Sequence, residues 1–226
     1  MPELLSIVIP TWQAAPTLAP CLDKLRVGGL DREIIVVDGG SSDATMAVAH
    51  RAGARLVRTP RGRGAQLAAG ARAATGEWLL FLHADTSLED GWADAVAGFW
   101  AGPNAGARAA VFRFQLDDPS PAARRLEAMV DWRCRRLGLP YGDQGLLMSR
   151  HFYDALGGFR PLPLFEDVDI IRRIGRRRLD YLPVGAVTSA VRFRDGGYYL
   201  RPLRNLACLT LFFAGIPPHL IGRLYQ

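Results

Sequence analysis

The fold is decided by a strand that runs directly into a polar turn: Glu33-Ile34-Ile35-Val36-Val37-Asp38-Gly39-Gly40-Ser41-Ser42-Asp43. The unbroken β-branched run is typical of a strand that is buried on both faces of a parallel sheet. Glycine and serine then predict a turn, and Asp43 is a good N-cap for a helix over 44–52. Strand, turn and helix in this order are the repeating unit of α/β proteins, so the stretch predicts that fold class.

The same alternation extends to both sides of this stretch. Strands are predicted at 5–9, 55–57 and 78–82. Helices are predicted where Leu18, Leu22 and Leu25 share one face, and over 65–74. The pattern therefore predicts a mostly parallel central sheet with helices on both faces.

The second half of the chain is less regular but continues the pattern. Its predicted strands cover 107–116, 146–148, 179–183 and 187–193, and its predicted helices cover 121–137, 151–156 and 166–177. A C-terminal helical tail over 198–226 follows and is interrupted by Pro217-Pro218. Because no repeat, low-complexity tract or linker separates these segments, we expect residues 1–226 to form a single domain.

The composition excludes several classes of protein. Hydrophobic residues make up 49% of the 226 residues and charged residues 22%, which are values of a folded domain and not of a disordered chain. The net charge is +6, and Lys24 is the single lysine among 28 basic residues. Arginine binds phosphate in a bidentate way, so the excess of arginine indicates either anionic ligands or only a compositional bias of the genome. No recognition motif for nucleic acid is present, and we expect no nucleic-acid partner.

Cysteine usage and hydropathy bear on the location of the protein. Cys21, Cys134 and Cys208 form no CxxC pair, which argues against a zinc site and favours a reducing cytoplasm. The N-terminus lacks a signal-peptide pattern, and the apolar run over 206–216 is shorter than the roughly 20 residues of a membrane span. The tail either packs on the domain, which we favour, or makes a peripheral contact with the inner membrane face.

Polar side chains follow three predicted strands at the point where each strand ends. Thr11 follows the first, Asp38 the second and His83-Ala84-Asp85 the fourth. Ligands of parallel sheets bind beyond the carboxyl ends of the strands, so we expect these groups to converge on one cleft. Asp38 is suited to accept hydrogen bonds from ribose hydroxyls or a base N–H, whereas Asp43 is either a further contact or only a helix cap. The predicted nucleotide-binding residues are Pro10, Thr11, Asp38, Asp43, Arg63 and Ala84.

His83 and Asp85 are candidate metal ligands. Two side chains one residue apart at the mouth of a sheet can both point toward a divalent ion. Asp85 offers a hard oxygen that suits Mg²⁺ or Mn²⁺, and imidazole is tolerated better by Mn²⁺. We expect Asp85 to bind the cation and leave the role of His83 open.

Glu166-Asp167 forms an acidic pair in a basic chain. It is either favourable charge in the first turn of a helix or a general base that takes a proton from an attacking hydroxyl. The segment Gly62-Arg63-Gly64 lacks the third glycine of a dinucleotide-binding motif and predicts a turn into a helix, with Arg63 as a phosphate contact. Arg192 and Arg194 are either a diphosphate clamp or part of a solvated edge strand.

Taken together and in order, four motifs resemble those of family 2 glycosyltransferases, which have the GT-A fold: Val36-Val37-Asp38-Gly39-Gly40-Ser41-Ser42-Asp43, Leu82-His83-Ala84-Asp85, Gly157-Gly158-Phe159 and Glu166-Asp167. The resemblance implies that Asp38 contacts the nucleotide, that Asp85 holds the metal that bridges the diphosphate, and that Asp167 is the catalytic base. His83 stands where the family usually has the first Asp of its DxD motif. Further details, including Tyr141-Gly142-Asp143-Gln144-Gly145, are similar to a bacterial subgroup labelled as arsenosugar-biosynthesis-type glycosyltransferases.

The function implied by this resemblance is transfer of a sugar from a nucleotide-diphosphate donor to an acceptor hydroxyl by metal-assisted, inverting displacement. Asp143 and Gln144 are candidate acceptor-binding residues. The departure at His83 motivates an alternative, a nucleotide-sugar binding protein that has lost its chemistry. The donor, the acceptor and the oligomeric state are not readable from the residues.

Overall fold

The computed structural model describes residues 3–198, 200–218, 220 and 221. Its strands are β1 (Leu5–Thr11), β2 (Arg32–Asp38), β3 (Arg55–Arg58), β4 (Trp78–Phe81), β5 (Thr86–Leu88), β6 (Ala109–Leu116), β7 (Leu146–Ser149) and β8 (Leu179–Thr188). Its helices are α1 (Ala15–Leu25), α2 (Thr45–Arg51), α3 (Arg63–Ala73), α4 (Trp92–Trp100), α5 (Pro121–Leu137), α6 (Arg150–Ala155), α7 (Glu166–Ile174), α8 (Val191–Gly196) and α9 (Leu200–Phe213).

Within the described residues the strands form one eight-stranded sheet in the order β3-β2-β1-β4-β7-β6-β8-β5. The first four strands of that order are mutually parallel. In the other half β4–β7, β7–β6 and β8–β5 are antiparallel, and β6–β8 is parallel. The predicted α/β class with a mostly parallel sheet is confirmed.

Alternating side chains of the buried strands face two helical layers. Leu5, Ile7 and Ile9 of β1 belong to a core that includes residues of α1, α2 and α4. Val8, which points to the opposite face, belongs to a second core with residues of α3, α6 and α7. Because side chains alternate between the two faces of a strand and β1 is buried along almost its whole length, helices cover both faces, as predicted.

The prediction of two strands over 179–183 and 187–193 was wrong. A single strand, β8, passes through Pro183, and residues 191–196 form helix α8. The pairing of β6 with β8 shifts register between Val111 and Arg113, opposite the proline. Pro183 has no N–H to give to the ladder, so the irregularity lets the strand continue past it. Beyond β8, Asp117 accepts a hydrogen bond from the amide of Ala190, next to the start of the helix.

The described part of the C-terminal tail packs against the domain. Cys208 and Leu209 of α9 and the later Ile221 are buried in one cluster with Phe165 and Val168. In the tail, residues 199, 219 and 222–226 lie outside the described part of the chain. None of the described helices is long and apolar enough to cross a membrane.

Candidate active site

The carboxyl ends of β1 and β2 are joined by a network centred on Asp38. Its carboxylate accepts hydrogen bonds from the amides of Gly40 (3.0 Å) and Ser41 (2.9 Å) and from the hydroxyls of Ser41 (2.5 Å) and Thr11 (3.2 Å). A carboxylate has about four lone-pair positions, so the protein's own donors match its capacity. Asp38, which is 2% exposed, therefore shapes the turn that follows β2.

These hydrogen bonds also set the protonation of Asp38. Burial alone raises its pKa, but the bonds from Ser41, Gly40 and Thr11 outweigh burial and hold the pKa below its ordinary value. Gln66 completes the arrangement from α3, because its side-chain amide donates to the carbonyls of Thr11 and Val37, at 2.8 Å each. Nothing in the sequence pattern distinguished Gln66 from its alanine-rich surroundings.

Asp43 lies one residue before the N-cap of α2, which is Ala44, so the prediction that Asp43 itself is the N-cap was wrong. Its carboxylate still accepts hydrogen bonds from the first amides of two helices. One carboxylate oxygen accepts from the amide of Thr45 at 3.0 Å, and the other accepts from the amide of Ala15 at 3.1 Å. The side chain thus ties together the starts of α1 and α2. A nucleotide contact by Asp43 stays a prediction.

A second polar group lies beyond β4 and at the start of α7, where a cavity of about 130 Å³ opens. Its lining includes five residues that the sequence singled out: Arg63, His83, Asp85, Asp143 and Asp167. The remaining lining residues are Tyr141, Gly142, Thr188, Ser189, Phe193 and Asn205. Residues separated by about a hundred positions in the chain therefore meet around one cavity.

Asp167 is held in this cavity by the start of its own helix and by the loop before β7. One oxygen accepts from the amide of Val168 at 2.8 Å, and the other accepts from the amide of Gly142 at 2.9 Å. A Cβ at Gly142 would lie 2.7 Å from Nε2 of His83 and 3.4 Å from the same oxygen of Asp167. The imidazole and the carboxylate therefore converge on the Gly142 peptide, and a larger residue there would require the His83 side chain to move.

The helix that presents Asp167 begins at a strained residue. Phe165 has φ +64°, a left-handed conformation that is uncommon for a bulky side chain. Its ring is buried and lies 4.9 Å, centroid to centroid, from the ring of Phe212 in α9. Packing by the C-terminal tail therefore fixes the backbone immediately before Glu166 and Asp167.

The carboxylate of Asp143 is only partly satisfied. Its Oδ1 is buried without a hydrogen-bond partner. Burial is the main reason that its pKa rises to about 6, and the negative charges of Asp167 and Asp85 add to the rise, against the opposing charges of Arg133 and Arg63. The carboxyl of Asp143 is therefore easier to protonate than an exposed one, mainly because it is buried.

Glu166 has a different position from its neighbour. Its side chain is 1% exposed, and its Oε1 forms an ion pair with Nε of Arg63. Burial raises the pKa of Glu166, and the charge of Arg63 opposes the rise. Because Arg63 lines the cavity and Glu166 lies behind it, the structure places Glu166 as the residue that orients Arg63.

Several predicted site residues lie away from the cavity. Gln144 is buried. Its side-chain N–H donates to the carbonyl of Phe112 at 3.0 Å, and its side-chain oxygen accepts from the thiol of Cys134 at 3.1 Å. Arg194 pairs with Asp118 at 3.1 Å. Ala84 is buried in the core, and Pro10 lies at the end of β1. The side chain of Arg192 lies outside the described part of the structure.

The residues present are compatible with a divalent cation held jointly with a ligand. Among the described residues, no group of three or more His, Cys, Asp or Glu side chains is placed to hold an ion by itself. A phosphate-bound Mg²⁺ commonly takes only one or two protein carboxylates and completes its shell with phosphate oxygens and water. Asp85 with His83 provides such a partial set, and Oδ1 of Asp143, which lines the same cavity, is buried without a hydrogen-bond partner.

The sequence reasoning quoted Tyr141 only as part of a motif and gave it no role, and it missed Asn205. Tyr141 precedes the Gly142-Asp143 segment, and its ring lies 3.6 Å from the guanidinium carbon of Arg133. Asn205 is a polar residue inside an apolar helix, a contrast that is visible in the sequence, and its Oδ1 is buried without a partner.

The sheet order, the ordered turn after β2 and the acidic cavity at the ends of β4 and α7 define the GT-A class of α/β protein. The model of the family described as "Glycosyl transferase family 2" matches residues 6–161, and the chain belongs to that family.

Curated relatives and solved structures agree with this assignment. The PGL/p-HBAD biosynthesis glycosyltransferases of Mycobacterium bovis (strain BCG / Pasteur 1173P2) and Mycobacterium tuberculosis (strain ATCC 25177 / H37Ra) are each 41% identical over 102 residues. The match covers 42% of this chain and only 39% of either relative's length. The arsenosugar-type subgroup stays a prediction.

Two crystal structures share the fold at low sequence identity. Glucosyl-3-phosphoglycerate synthase from Mycobacterium tuberculosis, in complex with Mn²⁺, UDP-glucose and phosphoglyceric acid, has a TM-score of 0.65 at 22% identity, covering 95% of this chain and 81% of that one. TarS 1-349 of S. aureus has a TM-score of 0.65 at 13% identity, covering 98% of this chain and 69% of that one.

Proposed function

We propose that this chain transfers a sugar from a nucleotide-diphosphate sugar to an acceptor hydroxyl, with inversion at the anomeric carbon. The observation that carries the proposal is the meeting of Arg63, Asp85, Asp143 and Asp167 around one cavity in a chain of this family. The relatives named for glycosyl transfer and the neighbour with bound UDP-glucose support the same class of reaction.

Asp167 is proposed as the general base. It accepts the proton of the acceptor hydroxyl while the hydroxyl oxygen bonds to the anomeric carbon, and the bond from that carbon to the diphosphate oxygen breaks. The amide of Gly142 holds one of the carboxylate oxygens of Asp167 at 2.9 Å, which keeps the base in place. A positioned base contributes about 10²–10⁴-fold to such a step.

Arg63 is proposed to receive the negative charge that develops on the leaving diphosphate. Its Nε forms an ion pair with Glu166, and this pair orients the guanidinium at the edge of the cavity. Asp85 and His83 are proposed to hold Mn²⁺ or Mg²⁺. When bound, the cation supplies charge stabilisation to the diphosphate.

Asp38, Thr11 and Asp43 are proposed to form the nucleotide end of the site, mainly by fixing the shape of the turn after β2. The order of that turn, held by the four donors to Asp38, supports this role. Asp143 is proposed to contact the acceptor. Its buried, unpartnered Oδ1 in the shared cavity is the supporting observation.

A cytoplasmic location is proposed from the three buried cysteines, none of which forms a disulfide. Peripheral membrane contact through the tail is proposed from Phe213 and Leu220, which are exposed and lie outside the lining of the larger apolar groove between α5 and α9. Co-sedimentation with vesicles of anionic phospholipid tests that contact, and a protein that stays in the supernatant contradicts it.

The purified protein tests the main proposal when it is incubated with UDP-, GDP-, CDP- and TDP-sugars, with Mn²⁺ or a chelator. We expect release of nucleoside diphosphate from one donor, dependent on the cation. Binding of a donor without release of its diphosphate under any condition would favour the alternative, a nucleotide-sugar binding protein.

A further inference from the structure

A groove of about 440 Å³ lies between α5 and α9, beside the proposed active site. Its lining is mainly apolar, with Met129 and Trp132 on α5, Leu203 and Leu206 on α9, and Phe114 of β6. A groove of this volume is in the range that binds a drug-sized molecule.

The groove is built from one face of each helix. Leu203, Leu206 and Leu209 follow each other at three-residue spacing on α9, and Leu209 is buried at 5% exposure, whereas Leu203 and Leu206 are 61% and 57% exposed. On the facing helix, Trp132 is 57% exposed. Exposed apolar residues that are concentrated in one concave surface mark a binding site more often than scattered ones do.

The groove is continuous with the polar cavity. Tyr141, Asp143, Phe193 and Asn205 line both spaces. The cleft therefore has one end with the carboxylates of the proposed reaction and another with hydrocarbon and aromatic walls. Asn205, whose Oδ1 is buried without a partner, lies at the junction.

We propose that this groove binds the apolar part of the acceptor, so that the acceptor is an amphipathic alcohol with an alkyl tail. The inference rests on the proposed function, since it places the acceptor hydroxyl at Asp167. The alkyl chain of the acceptor then lies between α5 and α9. A wholly polar acceptor would leave these apolar walls in water, whereas an alkyl tail removes them from it.

The first experiment measures binding without any donor. Straight-chain primary alcohols from butanol to octanol are titrated into the full chain by calorimetry. We expect affinity to rise by about fourfold for each added methylene, because each buried methylene contributes about 0.8 kcal/mol.

Matched variants locate the binding. Leu206→Gln removes an apolar group from one wall and Met129→Gln from the other, and both residues are largely exposed, so the fold is not at risk. We expect each to weaken octanol binding by about tenfold. Val27→Gln is the control, because Val27 is also 57% exposed but lies between α1 and β2, outside the groove.

The second experiment separates this inference from the proposed function. The wild-type protein is given a donor that it hydrolyses in water alone, and the alcohols are added as acceptors. We expect alkyl glycosides whose yield rises with chain length. Donor hydrolysis with no alcohol binding or transfer would overturn the acceptor inference and leave the proposed function standing.

Other outcomes also contradict the inference. Alcohol binding with no turnover of any donor would show an apolar site in a protein that does not catalyse transfer. Dimerisation that Leu206→Gln abolishes would assign the groove to a second copy of the chain. Vesicle binding that Leu206→Gln abolishes, without binding of single alcohols, would assign the groove to a bilayer surface.

Discussion

Two regions at the same edge of the sheet use carboxylates in opposite ways. After β2, the carboxylate of Asp38 is surrounded by four donors from its own chain. At the ends of β4 and α7, Oδ1 of Asp143 and Oδ1 of Asn205 are buried without partners. In the first region the carboxylate oxygens are bonded to donors of the protein itself. In the second region two oxygens lack a protein donor and can accept a hydrogen bond from a ligand.

The pKa values of the two carboxylates follow this difference. Hydrogen bonds overcome burial and hold the pKa of Asp38 below its ordinary value. Burial and neighbouring negative charge raise the pKa of Asp143 to about 6. We therefore expect a substitution at Asp38 to change mainly the stability of the fold and a substitution at Asp167 to change mainly catalysis.

The largest expected effect is on catalysis in the second region. Asp167→Asn removes the proposed base, so we expect the rate of transfer to fall by about 10²–10⁴-fold. Because an asparagine N–H₂ would face the amide of Gly142 or Val168, some stability is also lost, and the rate is compared at a temperature where both proteins are folded. Steady-state assays of diphosphate release, with Asp154→Asn as the control at an exposed site on α6, measure the change. Full turnover by Asp167→Asn, with loss in Asp143→Asn, would move the base role to Asp143.

A smaller effect, on stability, is expected in the first region. Asp38→Asn places an amide N–H₂ among donors, so we expect a loss of about 1–3 kcal/mol in the free energy of unfolding, measured by urea denaturation. If the variant keeps wild-type stability but no longer binds nucleotide, Asp38 is a direct ligand contact and the contrast between the two regions fails.

The smallest effect concerns the dependence of stability on pH. Because the pKa of Asp143 is about 6 in the folded protein and about 4 in an unfolded chain, the folded state binds more protons between these values. Stability then falls as pH rises through this window. The difference of about 2 between these pKa values corresponds to at most about 2.7 kcal/mol at pH 7, so we expect Asp143→Asn to melt several degrees above the wild type there.

The comparison for Asp143→Asn is made in chelator, at pH 4 and at pH 7. At pH 4 the wild-type carboxyl is largely protonated in the folded state, so the two melting temperatures should approach each other. A variant that is less stable than the wild type at pH 7 would mean that Arg133 and Arg63 stabilise the Asp143 carboxylate more than burial costs it.

Local pattern predicted much of the fold because burial imposes a clear period on the sequence. The strand over 33–37 and its turn were recognisable from β-branched residues followed by glycine and serine. The end of β8 was not, because Pro183 and Val187 gave no local sign of one continuous strand or of the helix at 191–196. The register shift that accommodates the proline depends on β6, far away in the chain.

The site was predictable only in part for a similar reason. Strand ends identified Asp38 and Asp85, and resemblance added Asp167. Asp143 and Gln144 are adjacent in one short turn, yet one lines the cavity and the other turns into the core toward Cys134. Which of two neighbours faces a ligand depends on tertiary packing, which a single sequence does not encode locally.

The central claim is that the second region binds a nucleotide diphosphate together with a cation. Thermal unfolding of the wild type and of Asp85→Asn, with UDP, GDP, CDP or TDP and with Mn²⁺ or a chelator, tests it most directly. A ligand at about 100 times its Kd stabilises a protein by about 2.7 kcal/mol. We predict that one nucleotide raises the wild-type melting temperature only with Mn²⁺, and that Asp85→Asn loses this increase. An increase that is equal in chelator, or none with any nucleotide, would contradict the claim.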